Sequence, residues 1–284
     1  MDRAAGLART ASGKGDYLML SRHASPLLVL GVIVCLAAPA GPASASLAGT
    51  APPRTTTICQ QLGWIPVTTP GGGQYIVRND NFGGRTECIS NDGLRPNFSV
   101  TSSAASSHGP DPAAYPYVFY GCSWGLCTGR SVLPALVTRV RAASASWSIA
   151  AGARGRWNAA FDIWFGRHRS AYRGQATGAE LMIWLNAHND PATRAKTFSA
   201  DHRRWYVYHW VARLGTKHWN YVQVRAVHPT TSVSGLNLLP VIRHVERMGL
   251  IRRNWWMLNV ESGFEIWTGG TGLATKSFSA HFRT

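Results

Sequence analysis

Hydrophobic and polar residues alternate along most of the chain after residue 57, in short runs that are typical of β-strands. Gly, Asn, Asp and Pro separate the runs, as in sheet proteins with many tight turns. An all-β sandwich or barrel is the architecture that such closely spaced strands favour. The predicted strands are residues 74–77, 95–100, 117–120, 137–148, 157–165, 180–186, 205–214, 219–225, 255–261, 263–268 and 275–282.

One segment has helical spacing instead. Leu238, Ile242, Val245 and Met248 recur every three or four residues, with charged residues on the opposite side. Gly249 follows directly and fits a helix C-terminus, where glycine is favoured. The sequence therefore predicts one helix, residues 238–248, in an otherwise β domain. Glu246 is interpreted as a solvated residue of this helix.

The predicted strand at residues 178–186 has two different faces. Successive side chains of a strand point to opposite sides. One face is apolar throughout and is typical of a side that packs on a core. The other face carries, in order, Glu180, Met182, Trp184 and Asn186.

Two more predicted strands repeat this arrangement of an acid beside an indole. Asp162 shares a face with Trp164, and Glu265 shares a face with Trp267. Acids are scarce, since the whole chain has five glutamates. A carboxylate pair lined by indoles suits cleavage of a glycosidic bond, with one acid protonating the leaving oxygen. The same pattern also fits a sandwich whose acids are buried and hydrogen-bonded and whose tryptophans belong to the core.

The first 45 residues have the order of a secretory signal. Basic residues Arg22 and His23 precede an apolar run at 26–38 that is too short to span a bilayer, and small residues follow. We expect cleavage after Ala45, which would remove Cys35, and a secreted, extracellular protein. An uncleaved anchor is the alternative. Residues 46–57 are interpreted as a linker and residues 58–284 as the catalytic domain.

Four cysteines remain after the signal, an even number in a chain bound for an oxidising compartment. Three pairings are possible. The simplest places Cys122 with Cys127 across a tight loop and leaves Cys59 with Cys88. Free thiols are the alternative, and a metal site is disfavoured because paired C-x-x-C ligands are absent from the sequence.

The formal charge of the whole chain is +16. The signal would remove four of its 29 basic and two of its 13 acidic residues, leaving +14 on the mature chain. The basic residues are scattered, with no recognisable nucleic-acid motif. We therefore interpret them as a solvated surface and expect neither nucleic acid nor, once the signal is cleaved, a membrane as partner. Binding of an anionic polymer is the alternative that the charge supports.

Three segments resemble the signature segments of glycoside hydrolase family 12, in order and at the expected separations. They are residues 161–165 (FDIWF), 180–186 (ELMIWLN) and 263–279 (GFEIWTGGTGLATKSFS). The likeness extends to residues 115–122 and to both cysteine pairs, and covers roughly residues 57–282.

This resemblance implies a β-jelly roll of two curved antiparallel sheets, with a helix on the convex side and an open cleft on the concave side. Family members are retaining endo-β-1,4-glucanases, with some xyloglucanases, and need no metal or organic cofactor. We accordingly expect a secreted cellulase of linear or mixed-linked β-glucan, monomeric by default. A xyloglucan-specific enzyme and a non-catalytic carbohydrate-binding sandwich are the alternatives.

The resemblance also implies roles for individual residues. Glu180 matches the nucleophile, Glu265 the general acid/base, and Asp162 the aspartate that hydrogen-bonds the nucleophile and tunes its ionisation. Tryptophans are expected to offer flat apolar platforms to sugar rings. The residues expected to bind substrate are Asn79, Phe82, Trp124, Met182, Trp184, Asn186 and Trp267.

The chain departs from the family pattern at two places. Relatives carry Asn-Asn-x-Trp-Gly with a sugar-stacking tryptophan, whereas this chain has Phe82 in Asn-Asp-Asn-Phe-Gly. Phenylalanine stacks over less area and lacks the indole N–H, which affects affinity and not the reaction. Glu261 stands where many relatives have glutamine. It either raises the pKa of the catalytic acid by like-charge repulsion or faces solvent, and we favour solvent.

Overall fold

The computed structural model describes residues 55–174, 177–192 and 195–284. The predicted signal, its Cys35 and residues 46–54 of the predicted linker lie outside the described residues. The strands are β1 (Thr56–Ile58), β2 (Trp64–Thr68), β3 (Gln74–Arg78), β4 (Glu87–Asn91), β5 (Phe98–Ser103), β6 (Ala105–Ser106), β7 (Tyr117–Ser123), β8 (Leu126–Cys127), β9 (Ala135–Leu136), β10 (Ala142–Ala150), β11 (Gly155–Gly166), β12 (Ala179–His188), β13 (Lys196–Ala200), β14 (Arg203–Leu214), β15 (Lys217–Ala226), β16 (Ser232–Asn237), β17 (Trp256–Met257), β18 (Asn259–Gly263), β19 (Ile266–Gly269) and β20 (Ala274–Arg283).

These strands form two sheets. The small sheet has six strands in the order β1-β4-β5-β20-β10-β16. The large sheet has 14 strands along the path β13-β14-β15-β12-β11-β18-β7-β3-β2, with the short strands β6, β8, β9, β17 and β19 at its margins. Neighbouring strands are antiparallel, with the exception of β12 and β15, which run parallel. Strands β13 and β14 lie between these two in the chain, and β14 pairs antiparallel with β15. The predicted all-β sandwich with one helix is confirmed.

The main core fills the space between the sheets. Strand β10 shows why: its alternating pattern buries Trp147 and Ile149 while its serines stay at the surface side. Trp147 packs on Phe161 of β11 at a ring-centroid distance of 5.3 Å. Phe264, beside Glu265 in the chain, also packs on Trp147, at 5.7 Å. The inner face of the large sheet is thus fixed by large apolar side chains.

The helix α1 (Leu239–Arg247) agrees with its prediction to within one residue at each end. Its buried residues belong to the main core, so the helix lies on the same side of the large sheet as the small sheet. Gly249 has a φ of 78°. This conformation lets Gly249 N and Leu250 N donate to the carbonyls of Glu246 and Val245, which ends the helix in a Schellman motif.

Several strands were missed or misplaced by the alternation. Residues 137–139 form a 3₁₀ turn, so β10 begins later than predicted. Strand β1 begins at Thr56, inside the segment interpreted as a linker. Strand β2 contains Pro66, which is tolerated because β2 is at the edge of the large sheet. Strands β4 and β16 have too few apolar residues for a clear pattern, and β13 was also missed.

Both predicted disulfides are present. Cys59 is bonded to Cys88, which ties the chain after β1 to β4. Cys122 is bonded to Cys127 across the turn between β7 and β8. In the loop-entropy model, closing loops of 29 and five residues lowers the conformational entropy of the unfolded chain and so stabilises the folded state by about 3.6 and 2 kcal/mol.

Candidate active site

The outer face of the large sheet, turned away from the main core, carries a cluster of buried acids. Strand β11 is central: Asp162 is opposite Met182 of β12 on one side and opposite Glu261 of β18 on the other. Glu180 lies two residues before Met182 on β12, opposite Trp164. Glu265 lies between β18 and β19, which pair with β11. Three adjacent parts of the sheet thus bring four carboxyl groups together, and all four are buried.

The predicted two-faced strand is confirmed in β12. Its residues at odd numbers from Ala179 to Leu185 belong to the main core. Met182 and Trp184 belong instead to a second apolar cluster on the outer face, together with Trp267. Asp162, Glu180 and Glu265 share this outer face because they alternate with core residues.

Strand β11 requires glycine at its first residue, Gly155. Gly155 has a φ of 105°, and a Cβ there would lie 1.9 Å from the carbonyl oxygen of Thr268. Gly155 is opposite Gly269 in β19. Two facing glycines thus let β19 approach β11 closely, which helps to hold the preceding Glu265 at the acid cluster.

The pKa of Asp162 is raised well above its usual value. Burial is the largest cause, followed by the negative charges of Glu180, Glu261 and Glu265. A hydrogen bond from Trp164 Nε1 to Asp162 Oδ2, 3.0 Å long, works in the opposite direction. Asp162 Oδ1 is buried and has no hydrogen-bond partner among the described residues. Burial and the three neighbouring carboxylates thus favour the protonated form of Asp162.

Glu180 is oriented by a tryptophan from the neighbouring strand. Trp219 of β15 donates its Nε1 hydrogen to Glu180 Oε2 over 2.6 Å. The parallel register of β12 and β15 places Glu180 opposite Tyr221, two residues from Trp219. The Trp219 ring also packs on Trp164, with 5.8 Å between ring centroids. Sequence reasoning missed Trp219, although its predicted strand and its alternation with Tyr221 marked it as a residue of one face.

Glu265 is held by Asn158 through both its side chain and its backbone. Asn158 Nδ2 donates to Glu265 Oε2, and Glu265 N donates to Asn158 Oδ1 over 3.3 Å. The backbone N of Asn158 donates to Glu265 O over 2.9 Å. Asn158 is fully buried on β11 and was not recognised in the sequence, where a lone asparagine in a strand gives no signal.

The expectation that Glu261 faces solvent is wrong. Only 1% of Glu261 is exposed. Its Oε1 accepts hydrogen bonds from Ser123 Oγ at 2.6 Å and Asn259 Nδ2 at 2.8 Å. Burial raises the pKa of Glu261 to about 8; the Ser123 hydrogen bond and the charge of Arg78 lower it, and the charges of Asp80 and Glu180 add to the rise. Strands β7 and β11 cover it on both sides.

Two tryptophans predicted to stack on sugars are covered instead. Trp184 and Trp267 are 3% and 1% exposed, with ring centroids 6.3 Å apart. Arg156 lies over Trp267 at 4.5 Å, and Arg225 lies over Trp184 at 5.5 Å. Arg156 also pairs with Asp190 at 3.3 Å. These rings therefore support the floor of the site and do not offer open platforms.

Asn79 and Met182 are also too buried for the predicted contact with substrate. Asn79 is fully buried and its Nδ2 donates to three backbone carbonyls, the shortest bond being 2.9 Å to Glu87 O. Met182 is 1% exposed and its sulfur accepts a hydrogen bond from Tyr221. Asn186 is half-buried and donates to Thr230 O.

Other aromatic residues remain accessible. Phe82 is 50% exposed. Its loop is fixed by bonds from Gly83 N to Ala113 O and from Tyr115 N to Asp80 O. Trp124 is half-buried and meets Trp164 edge-on at 6.0 Å. Trp64 on β2, which sequence reasoning did not single out, is 47% exposed.

Residues 73–283 match the family model described as glycosyl hydrolase family 12. The chain belongs to glycoside hydrolase family 12. The resemblance of its signature segments is thereby confirmed.

Named relatives of this family-12 protein agree. It is 31% identical over 168 residues to Endoglucanase S from Pectobacterium parmentieri, a match that spans 56% of the chain and 61% of that relative. Among solved structures it is similar to endoglucanase Cel12A from Rhodothermus marinus, with 37% identity, a TM-score of 0.73 and coverage of 80% of this chain and 99% of that one. It is also similar to a metagenome-derived family-12 endoglucanase, with 36% identity, a TM-score of 0.73 and coverage of 81% of this chain and 98% of that one.

Within residues 55–174, 177–192 and 195–284, no group of three or more His, Cys, Asp or Glu side chains is arranged to hold a metal ion. In the same ranges, no helix has the length and apolar character needed to cross a membrane.

Proposed function

We propose that this family-12 protein is a retaining endo-β-1,4-glucanase that hydrolyses internal bonds of cellulose or mixed-linked β-glucan. The observation that carries the proposal is the acid cluster, in which Asp162, Glu180 and Glu265 share the outer face of one sheet. A carbohydrate-binding sandwich would need aromatic residues and not this set of buried acids. The names of the relatives, all endoglucanases at 31–37% identity, support the same activity.

Glu180 is the proposed nucleophile. The short hydrogen bond from Trp219 favours its charged form and restricts its rotation, which orients the carboxylate for attack on the anomeric carbon. The attack forms a covalent glycosyl-enzyme ester and breaks the bond to the leaving oxygen. In its protonated form, which burial and the neighbouring carboxylates favour, Asp162 would donate a hydrogen bond to Glu180 and release that bond as the ester forms. That hydrogen bond stays a prediction.

Glu265 is the proposed general acid/base. It gives its proton to the departing glycosidic oxygen and later removes a proton from the water that hydrolyses the ester. Asn158 holds its side chain and backbone together, which fixes the carboxyl group relative to β11. Retention requires the two carboxyl groups to lie about 5 to 5.5 Å apart.

The proposed substrate-binding residues are those that remain accessible, namely Phe82 and Trp124, together with the half-buried Asn186 on β12. Trp64 joins them as an exposed indole at the edge strand. Stacking of sugar rings on aromatic side chains buries apolar C–H surface. We further propose a secreted monomer, a catalytic domain that begins at β1 and so includes Thr56 and Thr57 of the segment interpreted as a linker, and no nucleic-acid or membrane partner.

The reaction is tested on carboxymethylcellulose with Glu180→Gln and Glu265→Gln. Each is expected to lower kcat by at least about 1,000-fold, because each removes a group that reacts. The matched control is Glu246→Gln, a glutamate on α1 outside the acid cluster, which should retain full activity. Full activity of either active-site variant would contradict the assignment.

Two further measurements sharpen the proposal. Proton NMR of early products should show the β-anomer first, and an initial α-anomer would exclude retention. Initial rates should be higher on mixed-linked glucan and carboxymethylcellulose than on xyloglucan. A strong preference for xyloglucan would overturn the substrate proposal and leave the reaction type intact.

A further inference from the structure

A groove lies between α1 and the 3₁₀ turn at residues 137–139, on the side of the sheet opposite to the acid cluster. Its volume is about 230 Å³. Phe165, Ile242 and Met257, which form part of its lining, are core residues. Arg243, Arg247 and Arg253 also line it, and all three are exposed.

Arginines are concentrated around this groove. Arg139 and Arg141 are exposed on the chain beside its lining residues Thr138 and Val140, and Arg252 precedes Arg253. Arg141 N donates to Arg283 O over 2.8 Å, which adds a further exposed arginine. One acid, Glu246, is among the lining residues, and it lies 3.5 Å from Arg253. We call this set of seven arginines with Glu246 the arginine groove.

The arginine groove and the acid cluster are on opposite sides of the large sheet. Phe165 packs in the main core, whereas the neighbouring Trp164 lies on the outer face opposite Glu180. The acid cluster is therefore on the outer face, and the arginines of the groove are on the helix side. A molecule in the groove would not block the outer face.

Guanidinium groups bind carboxylates through two parallel hydrogen bonds, which a solvated lysine surface does not do. Val137 and Leu239, which are half-buried apolar residues of the lining, can pack against the C–H face of a sugar ring. The four arginines of this set that are not lining residues can pair with the next acidic units of the same polysaccharide chain.

We propose that the arginine groove binds an acidic polysaccharide that carries carboxylates along its chain, and that it does so independently of the glucan on the outer face. The choice of a polysaccharide over other anionic polymers rests in part on the proposed function. The position of the groove, its lining and its charge do not.

The test is calorimetric titration of the full mature chain with polygalacturonate, with neutral mixed-linked glucan as the reference ligand. The variant Arg243→Gln/Arg247→Gln/Arg253→Gln should weaken binding of polygalacturonate about 10- to 100-fold, since it removes three charge-assisted contacts. Added salt should weaken binding by the wild type. Hydrolysis of neutral glucan should be unchanged.

The matched control is Arg130→Gln/Arg204→Gln/Arg213→Gln, which removes the same charge from exposed arginines elsewhere. It should change binding less than about twofold. Equal loss in both triple variants would overturn the proposal, because binding would then follow net charge. Tighter binding of duplex DNA or of anionic lipid vesicles than of polygalacturonate at equal salt would also overturn it.

Thermal unfolding verifies that both triple variants are folded. If the wild type binds polygalacturonate through the groove but hydrolyses no glucan, the proposed function fails and the arginine groove remains. If it hydrolyses glucan and does not bind polygalacturonate, the reverse holds.

Discussion

The inner and outer faces of the large sheet bury similar residues for different purposes. Trp147 of β10, in the small sheet, packs on the inner face, where it meets Phe161 and Phe264 and its Nε1 donates to Thr275 Oγ1 over 3.1 Å. On the outer face, Trp184 is also buried, but its Nε1 has no hydrogen-bond partner among the described residues. The indole N–H of Trp147 is thus satisfied, whereas Trp184 and Asp162 on the outer face each have a buried polar atom without a hydrogen-bond partner among the described residues.

The same contrast holds for acids. The outer face buries four acids together, namely Asp162, Glu180, Glu261 and Glu265. Burial and the charges of the three glutamates raise the pKa of Asp162. Such crowding destabilises the folded chain and is typical of sites that need shifted pKa values. The apolar packing of the inner face therefore offsets the cost of burying these acids on the outer face.

The largest expected effect is on stability at the inner face. Trp147→Phe should lower the free energy of unfolding by about 2 to 3 kcal/mol, because it removes buried surface and leaves Thr275 Oγ1 without its donor. Trp184→Phe should cost about 1 kcal/mol, since no hydrogen bond is lost. Urea unfolding measures both, and equal costs would remove the distinction between the faces.

The next effect is on catalysis at the outer face. Trp219→Phe should lower kcat about tenfold while the melting temperature changes little, because it removes the donor to Glu180 and retains most of the packing. Trp210→Phe is the matched control. Trp210 stacks on Tyr221 at 4.2 Å one strand further out, and its substitution should change kcat less than about threefold. Comparable losses would mean that Trp219 acts through packing.

A smaller effect concerns pH. The pKa values of Glu261 and Glu87 are both about 8, with burial the largest cause. Between a pKa of about 4.5 in the unfolded chain and about 8, the folded state binds more protons. The contribution of these two glutamates to stability is therefore present in full below about pH 4.5 and declines as the pH rises to about 8.

Substitutions separate the two glutamates. Glu87→Gln and Glu261→Gln should each flatten this decline by roughly 1 kcal/mol or more, as followed by the melting temperature from pH 5 to pH 9. Only Glu261→Gln should also shift the alkaline limb of kcat, because Glu261 is opposite Asp162 and Glu87 is on the small sheet. A shift in both variants would show that global stability sets the alkaline limb.

The smallest expected effect is at the exposed end of the outer face. Phe82→Trp should lower KM for long glucans by roughly two- to fivefold at unchanged kcat, because indole offers more stacking area. Its loop is anchored independently of the ring, so the fold should be unaffected. An unchanged KM would show that Phe82 does not contact substrate.

Much of the site could be predicted because strand alternation is a local property. The alternation on β12 separates Glu180 from Leu181 whatever the rest of the fold does. The same holds for Asp162 on β11 and for Trp267 on β19. The failures are at positions where burial comes from a distant segment: Glu261 is covered by β7, and Trp267 is covered by Arg156.

Residues near one another in the chain set the strand alternation, the helix with its glycine stop, the simplest cysteine pairing and the candidate acids. These features could therefore be predicted from the sequence. Only the tertiary structure decided which of these groups are open to a ligand. It covered Trp184 and Trp267 with arginines and brought Trp219 to Glu180 and Asn158 to Glu265. Those contacts join strands that are separated in the chain, and neither composition nor periodicity encodes which strands become neighbours.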